Sequence, residues 1–175
     1  MNGLMPGLDV APNIHPMLVH FPIVLWVSAL ALWTLGVARS RSDLFRSGTW
    51  FLSIGTLTAV ITLISGYLAA DGLGHDSPGH DLVHGHRDLM LVATIVGAAL
   101  TALAWLLRRR QGRLVRWSLV ATLLALNAVT TLGADRGALL VYGHGMGTVQ
   151  NAPSSEPPSH DNDDGHHGEA APHGH

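Results

Sequence analysis

The chain has 175 residues, of which 47 % are hydrophobic and 13 % are charged, and its mean hydropathy is +0.29. Soluble domains carry about a quarter charged residues, so this chain has too few charges to cover a soluble surface of its size. A soluble globular domain is therefore excluded, and an integral membrane protein is expected. Because cysteine is absent, disulfides, Cys-ligated zinc, iron–sulfur clusters and covalent c-type haem attachment are excluded as well.

Four long stretches of the chain carry no charge, and each has at least 18 residues. A helix needs about 20 residues to cross the hydrocarbon core, so each stretch is long enough for one span. A chain in lipid must satisfy its own backbone polar groups, so each stretch is predicted to be a helix. The predicted helices lie near 16–38, 48–70, 78–107 and 115–134. The expected fold is an all-α bundle of four transmembrane helices over 14–149, between an N-terminal tail, 1–13, and a C-terminal tail, 150–175.

The arginines predict how this bundle lies in the membrane. Most of them fall in the first and third loops, namely Arg39, Arg41, Arg46, Arg108, Arg109, Arg110, Arg113 and Arg116. The positive-inside rule places such loops in the cytoplasm, so both termini are expected outside. The expected location is a bacterial plasma membrane, which the protein crosses several times in contact with lipid.

The twelve histidines are the main functional signal, because this topology places all of them on the outer side. His15 and His20 open the first helix, where Pro22 should leave the carbonyl of Leu18 without its helical bond and kink the chain. A kinked helix start beside two histidines is suited to a binding site. The other histidines are in the second loop and the start of helix 3 (His75, His80, His84, His86), after helix 4 (His144), and in the tail (His160, His166, His167, His173, His175).

Helix 3 offers two further patterns. His80 and His84 are four residues apart, so they share one helix face and could chelate one metal ion. His86 lies in line with Met90 one turn further on, and a His or Met that faces a His on another helix can hold a b-type haem. The competing interpretation is that these histidines only cap helix ends or bind carbonyls at the membrane boundary.

Other residues narrow the range of functions. The four stretches that are expected to cross the lipid contain no charged residue, which disfavours proton pumps and ion-coupled transporters. No nucleophile–base pair, P-loop or dinucleotide fingerprint supports an enzyme, and no nucleic-acid partner is expected. The tryptophans are predicted to anchor span ends at the membrane interface: Trp26, Trp33, Trp50, Trp105 and Trp117.

The tail from residue 150 is rich in proline, glycine, histidine and acidic residues. It has too little apolar surface to fold, so disorder is expected. Its neutral imidazoles, His166 and His167 among them, could collect copper, nickel or zinc ions.

Four strings of residues resemble a bacterial membrane-protein family, catalogued as domain of unknown function 2231, over about 12–149: HPMLVHFPIVLW, SGYLAAD, HRDLM and LGADRGALLVYGHGMG. The family pattern matches at His15, His20, His86 and His144, whereas His80 and His84 lie outside it. Members of the family occur fused to or beside c-type cytochrome and Rieske domains. The resemblance therefore implies a redox role on the outer face, with such a protein as partner.

The leading hypothesis is a non-enzymatic redox or metal-binding membrane protein with one or two sites formed by His15, His20, His86 and His144. The expected cofactor is haem b, with His20 and His86 as first-choice axial ligands and the other two histidines at a second site or on the propionates. One alternative is a copper- or zinc-handling protein that uses the same histidines and the tail. Another is a structural subunit that anchors a complex on the outer face.

Overall fold

The computed structural model describes residues 13–70, 80–109 and 112–145. Within these ranges the elements are helices: α1 (His15–Leu18), α2 (His20–Ala38), α3 (Ser42–Ala70), α4 (His80–Leu106) and α5 (Arg113–His144). Helices α1 and α2 together form one candidate span, and α3, α4 and α5 form three more. The prediction of an all-α protein with four transmembrane helices is confirmed. The described residues exclude 1–12 of the N-terminal tail and the whole C-terminal tail, 150–175, with His166 and His167.

The helices form an up-and-down bundle. Spans that follow each other in the chain pack together, and α5 closes the bundle against α2. The starts of α1 and α4 therefore lie at the same end as the last turns of α3 and α5, and we call this the histidine end. The opposite end, which carries the α2–α3 and α4–α5 connections with their arginines, is the arginine end.

The centre of the bundle is built around two indole rings. Trp26 and Trp33 are only 2 % and 0 % exposed, so the prediction that they anchor the protein at the membrane interface is wrong. Glycines make room for both rings, since a Cβ atom at Gly48 would lie 2.5 Å from Trp33, and one at Gly55 or Gly97 within 2.8 Å of Trp26. Close packing of glycines against the two rings thus places these tryptophans in the core and not at the lipid boundary.

Two helices are longer than the charge-free stretches predicted. Helix α3 starts at Ser42 instead of near 48, and α5 continues to His144 instead of ending near 134. A charged residue ends the part of a helix that sits in lipid, but it does not end the helix, because the backbone hydrogen bonds of a helix can continue into water. Helix α5 ends at Gly145, whose φ of 64° is the left-handed conformation that commonly closes a helix.

The first span is interrupted at Val19, where α1 gives way to α2. Pro22 has no N–H to offer to Leu18, and the structure supplies a replacement donor from α3. The hydroxyl of Thr62 lies 2.8 Å from the carbonyl oxygen of Thr58 and 3.3 Å from that of Leu18, so the two carbonyls share its single proton. The carbonyl that was expected to lose its helical bond therefore has a shared donor across the helix interface.

Thr62→Val should lower the stability of the bundle by about 1–3 kcal/mol, because it leaves the half-buried carbonyl of Leu18 without its donor from α3. Thermal unfolding in mild detergent, followed by circular dichroism, measures the change. Thr131→Val is the matched control, because the exposed Thr131 hydroxyl bonds within α5, to the carbonyl of Asn127. Equal losses from the two variants would show that the bond to Leu18 contributes nothing.

Candidate functional site

His15, the first residue of α1, is held against α3. Its Nδ1 lies 3.1 Å from the carbonyl oxygen of Thr62 and 3.0 Å from the hydroxyl of Ser65. Ser65 in turn donates its own proton to the Thr62 carbonyl at 2.7 Å, so its oxygen is left to accept. A carbonyl oxygen can only accept a hydrogen bond, so Nδ1 of His15 carries the proton. In the neutral ring, Nε2 then keeps its lone pair.

His86, in the second turn of α4, is held against α5 in the same manner. Its Nδ1 lies 2.8 Å from the carbonyl oxygen of Gly133, which requires Nδ1 to be the donor. The Nε2 atom of a neutral His86 is therefore also an acceptor. Both rings are half-buried. The two histidines thus present the same tautomer, each set by a backbone carbonyl of a neighbouring helix.

Each ring lies on a glycine one turn beyond the carbonyl that it binds. A Cβ atom at Gly66, four residues after Thr62, would come within 2.9 Å of Cε1 of His15. A Cβ atom at Gly137, four residues after Gly133, would come within 3.1 Å of Cε1 of His86. The two anchors are alike because residues four apart share a helix face, and a side chain at the second position would push the ring away.

The two histidines, predicted separately, are brought together by the bundle. The ring centroids of His15 and His86 are 6.5 Å apart, and the ring planes are nearly perpendicular at 85°. The pair joins α1 to α4, while the hydrogen bonds of the two rings reach α3 and α5. All four spans therefore contribute to one cluster at the histidine end, which we call the histidine pair.

The other predicted site residues lie around this pair. His20 is exposed at the start of α2, while His84 and His144 are half-buried on α4 and at the last residue of α5. His80 is the first residue of α4. Over the described ranges no group of three or more histidine, cysteine, aspartate or glutamate side chains is placed to hold a metal ion.

Arg87 follows His86 in α4 and places a positive charge at the histidine end. Its guanidinium carbon lies 5.5 Å from the centre of the Tyr67 ring, and its Nε lies 3.5 Å from a carboxylate oxygen of Asp88. The Nε atom is buried and makes no hydrogen bond with any residue that the structure describes. A buried donor without an acceptor is costly, so this atom is suited to an acceptor brought by a ligand.

Several residues that hold the histidine pair were not predicted to do so: Thr62, Ser65, Gly133 and Gly137. The signal that could have found them is the spacing of small residues. Thr62 and Gly66 are four apart, as are Gly133 and Gly137, a pattern typical of close helix contacts in membranes. The pattern by itself does not indicate that an imidazole is the group in contact.

Comparison with known proteins gives one match. A family model described as "Predicted membrane protein (DUF2231)" matches residues 11–150, which include all four spans and the histidine pair. No curated protein and no solved structure matches the chain. The description of the family names a membrane protein and no activity, so any function has to be argued from the geometry of the residues themselves.

Proposed function

The chain belongs to the DUF2231 family of predicted membrane proteins, and we propose that it is a redox or metal-binding membrane protein whose site is the histidine pair. The observation that supports this proposal is the shared tautomer of His15 and His86. Histidines that bind metals almost always donate their second ring N–H to a carbonyl, a carboxylate or water, which orients the ring. Both Nδ1 atoms do so here, and both Nε2 atoms remain as ligand atoms.

The two rings are close enough to bind one metal centre. Their centroids are 6.5 Å apart, and bonds from a metal to imidazole nitrogen are about 2 Å long. His15 and His86 would then hold the iron of a b-type haem, which supplies one-electron chemistry when bound, within a helical bundle.

Arg87 supports the same choice of cofactor. Haem carries two propionate carboxylates, whereas a copper or zinc ion carries none. The buried Nε of Arg87 makes no hydrogen bond within the described part of the chain, although a carboxylate oxygen of Asp88 lies 3.5 Å away, and Arg87 directly follows His86. An arginine binds a carboxylate strongly through paired N–H groups, so Arg87 is the candidate partner for a propionate.

The arginines support one orientation of the bundle in the membrane. We place the arginine end in the cytoplasm of a bacterial cell and the histidine pair at the outer face of the plasma membrane. The electron partner is then a periplasmic or membrane protein such as a c-type cytochrome or a Rieske-like protein.

One further candidate is a structural subunit, favoured by the fact that the hydrogen bonds of His15 and His86 join helices without any cofactor.

An oxidised-minus-reduced absorption spectrum of the full chain, purified in mild detergent, tests the proposal. A reducible Soret and α-band pair at about one haem per chain is the expected result. Metal content is read on the same sample. A flat spectrum with about one copper or zinc per chain would replace haem by the metal-handling alternative. A sample free of both would overturn the proposal in favour of the structural subunit.

A further inference from the structure

The arginine end contains a cavity that is separate from the histidine pair. It has a volume of about 250 Å³ and lies between the end of α2 and the start of α5, lined by Val37, Ser40, Arg113 and Arg116. We propose that this cavity binds a phosphate group, supplied by the headgroup of an anionic phospholipid or by free phosphate. Two guanidinium groups and a hydroxyl are side chains that bind phosphate, and guanidinium does so through paired N–H groups.

Arg116 is held in place but lacks an acceptor. Its guanidinium carbon lies 5.0 Å from the centre of the ring of Phe45, a buried residue of α3. Its Nε is buried and has no hydrogen-bond partner in the described ranges. Stacking on a ring uses the face of a guanidinium and leaves the N–H groups in its plane to bind another group. Arg116 thus lines the cavity and also has a buried Nε with no hydrogen-bond partner in the described ranges.

The charges at this end leave a net positive potential around the cavity. Asp43, in the first turn of α3, is the acidic residue next to the α2–α3 connection, and it accepts two hydrogen bonds from Arg41, from Nε at 2.9 Å and from a terminal nitrogen at 2.6 Å. That carboxylate is therefore committed to another guanidinium. The N-terminus of α5, at Gly112, has no side-chain cap, so the positive end of the helix dipole adds to the charge of Arg113 and Arg116.

The level of the cavity in the membrane points to lipid as the source of the phosphate. Leu106, at the end of α4, and Leu114, at the start of α5, are 80 % and 81 % exposed, which suits contact with acyl chains. The rings of Trp50 and Trp105 stack edge to face at 5.1 Å near the same end. Tryptophan collects where the headgroups begin, and basic pockets between helices on the cytoplasmic side bind anionic headgroups.

The test compares the full chain with the double variant Arg113→Gln/Arg116→Gln in mild detergent. Native mass spectrometry counts bound phosphatidylglycerol, with phosphatidylcholine as the lipid without net charge. We expect phosphatidylglycerol to bind the variant at least about tenfold more weakly, as the loss of charge-assisted hydrogen bonds implies. Arg108→Gln/Arg109→Gln is the matched control, because it removes the same charge from exposed residues outside the cavity.

Inorganic phosphate distinguishes the two sources. If phosphate raises the thermal midpoint of the full chain but not of the cavity variant, and phosphatidylglycerol does not bind, the ligand is free phosphate. Equal loss of lipid binding from the control variant would overturn the proposal, because diffuse charge would then explain binding. Failure of the full chain to bind either probe would overturn it as well. Arg116→Lys, which keeps the charge without the paired N–H groups, should fall between the full chain and the double variant.

Discussion

We expect that replacing His15 or His86 by asparagine removes the proposed haem and leaves the four helices folded. The asparagine amide can donate to the carbonyl of Thr62 or Gly133 as Nδ1–H does, but it places no ligand atom at the position of Nε2. Loss of a hydrogen-bond partner of a ligating histidine lowers the affinity for the metal by about 10–100-fold. Loss of the ligand atom itself should lower the affinity for haem by more than this. Haem content per chain, from absorption of the purified variant, measures the loss, and circular dichroism measures the fold.

His20→Asn is the matched control, because His20 is an exposed histidine at the next helix start. It should keep the full cofactor load. If His20→Asn loses the cofactor while His15→Asn keeps it, ligation by His20 and His86, as the sequence alone predicts, is correct and the histidine pair is not the site. If His15→Asn and His86→Asn keep the full cofactor load, and only alanine at the same positions unfolds the bundle, the histidines serve as links between helices.

Gly36→Ala should lower the stability of the bundle. A Cβ atom there would lie 2.8 Å from the backbone nitrogen of Phe45 and 3.0 Å from the carbonyl oxygen of Arg41. Backbone atoms cannot rotate away as a side chain can, so α2 and α3 would have to separate at their shared end. Overpacking of this kind costs about 1–3 kcal/mol. Thermal unfolding in detergent should therefore occur at a lower temperature.

Gly85→Ala is the control for this prediction. Gly85 also lies inside a helix, but a Cβ atom there would meet only a terminal nitrogen of Arg136, at 3.9 Å. Alanine is favoured over glycine in a helix by about 0.5–1 kcal/mol, so stability should hold or rise. A loss from Gly85→Ala as large as that from Gly36→Ala would contradict the view that backbone contact sets the cost.

The tryptophans show why hydropathy alone misplaces large side chains. Trp26 and Trp33 lie in a charge-free span, and their sequence positions suit the lipid interface as well as the core. Their burial depends on Gly48, Gly55 and Gly97, which belong to other helices. Trp50 and Trp117, by contrast, are exposed, as an interface anchor requires. The difference depends on which residue of another span lies opposite, and no pattern within one helix records it.

The sequence by itself determined the number of spans, their helical state and the site of the first interruption. These follow from local causes: charge-free length, the need to satisfy backbone groups in lipid, and the missing N–H of Pro22. It also identified His15 and His86 as candidate ligands, but it ranked His20 above His15. His15 and His20 are five positions apart in the sequence, which places them about 140° apart around a helix. Only one of them is therefore expected to face a given neighbouring helix.

Only the tertiary structure decided that His15, and not His20, lies against α3. Thr62 and Gly66 receive His15, and Gly133 and Gly137 receive His86, because these small residues let the helices approach closely enough for a ring nitrogen to reach a backbone carbonyl. The same applies to Arg116, whose stacking on Phe45 requires α3 and α5 to meet. Contacts between distant segments depend on how four helices pack together, which the composition of each helix does not specify.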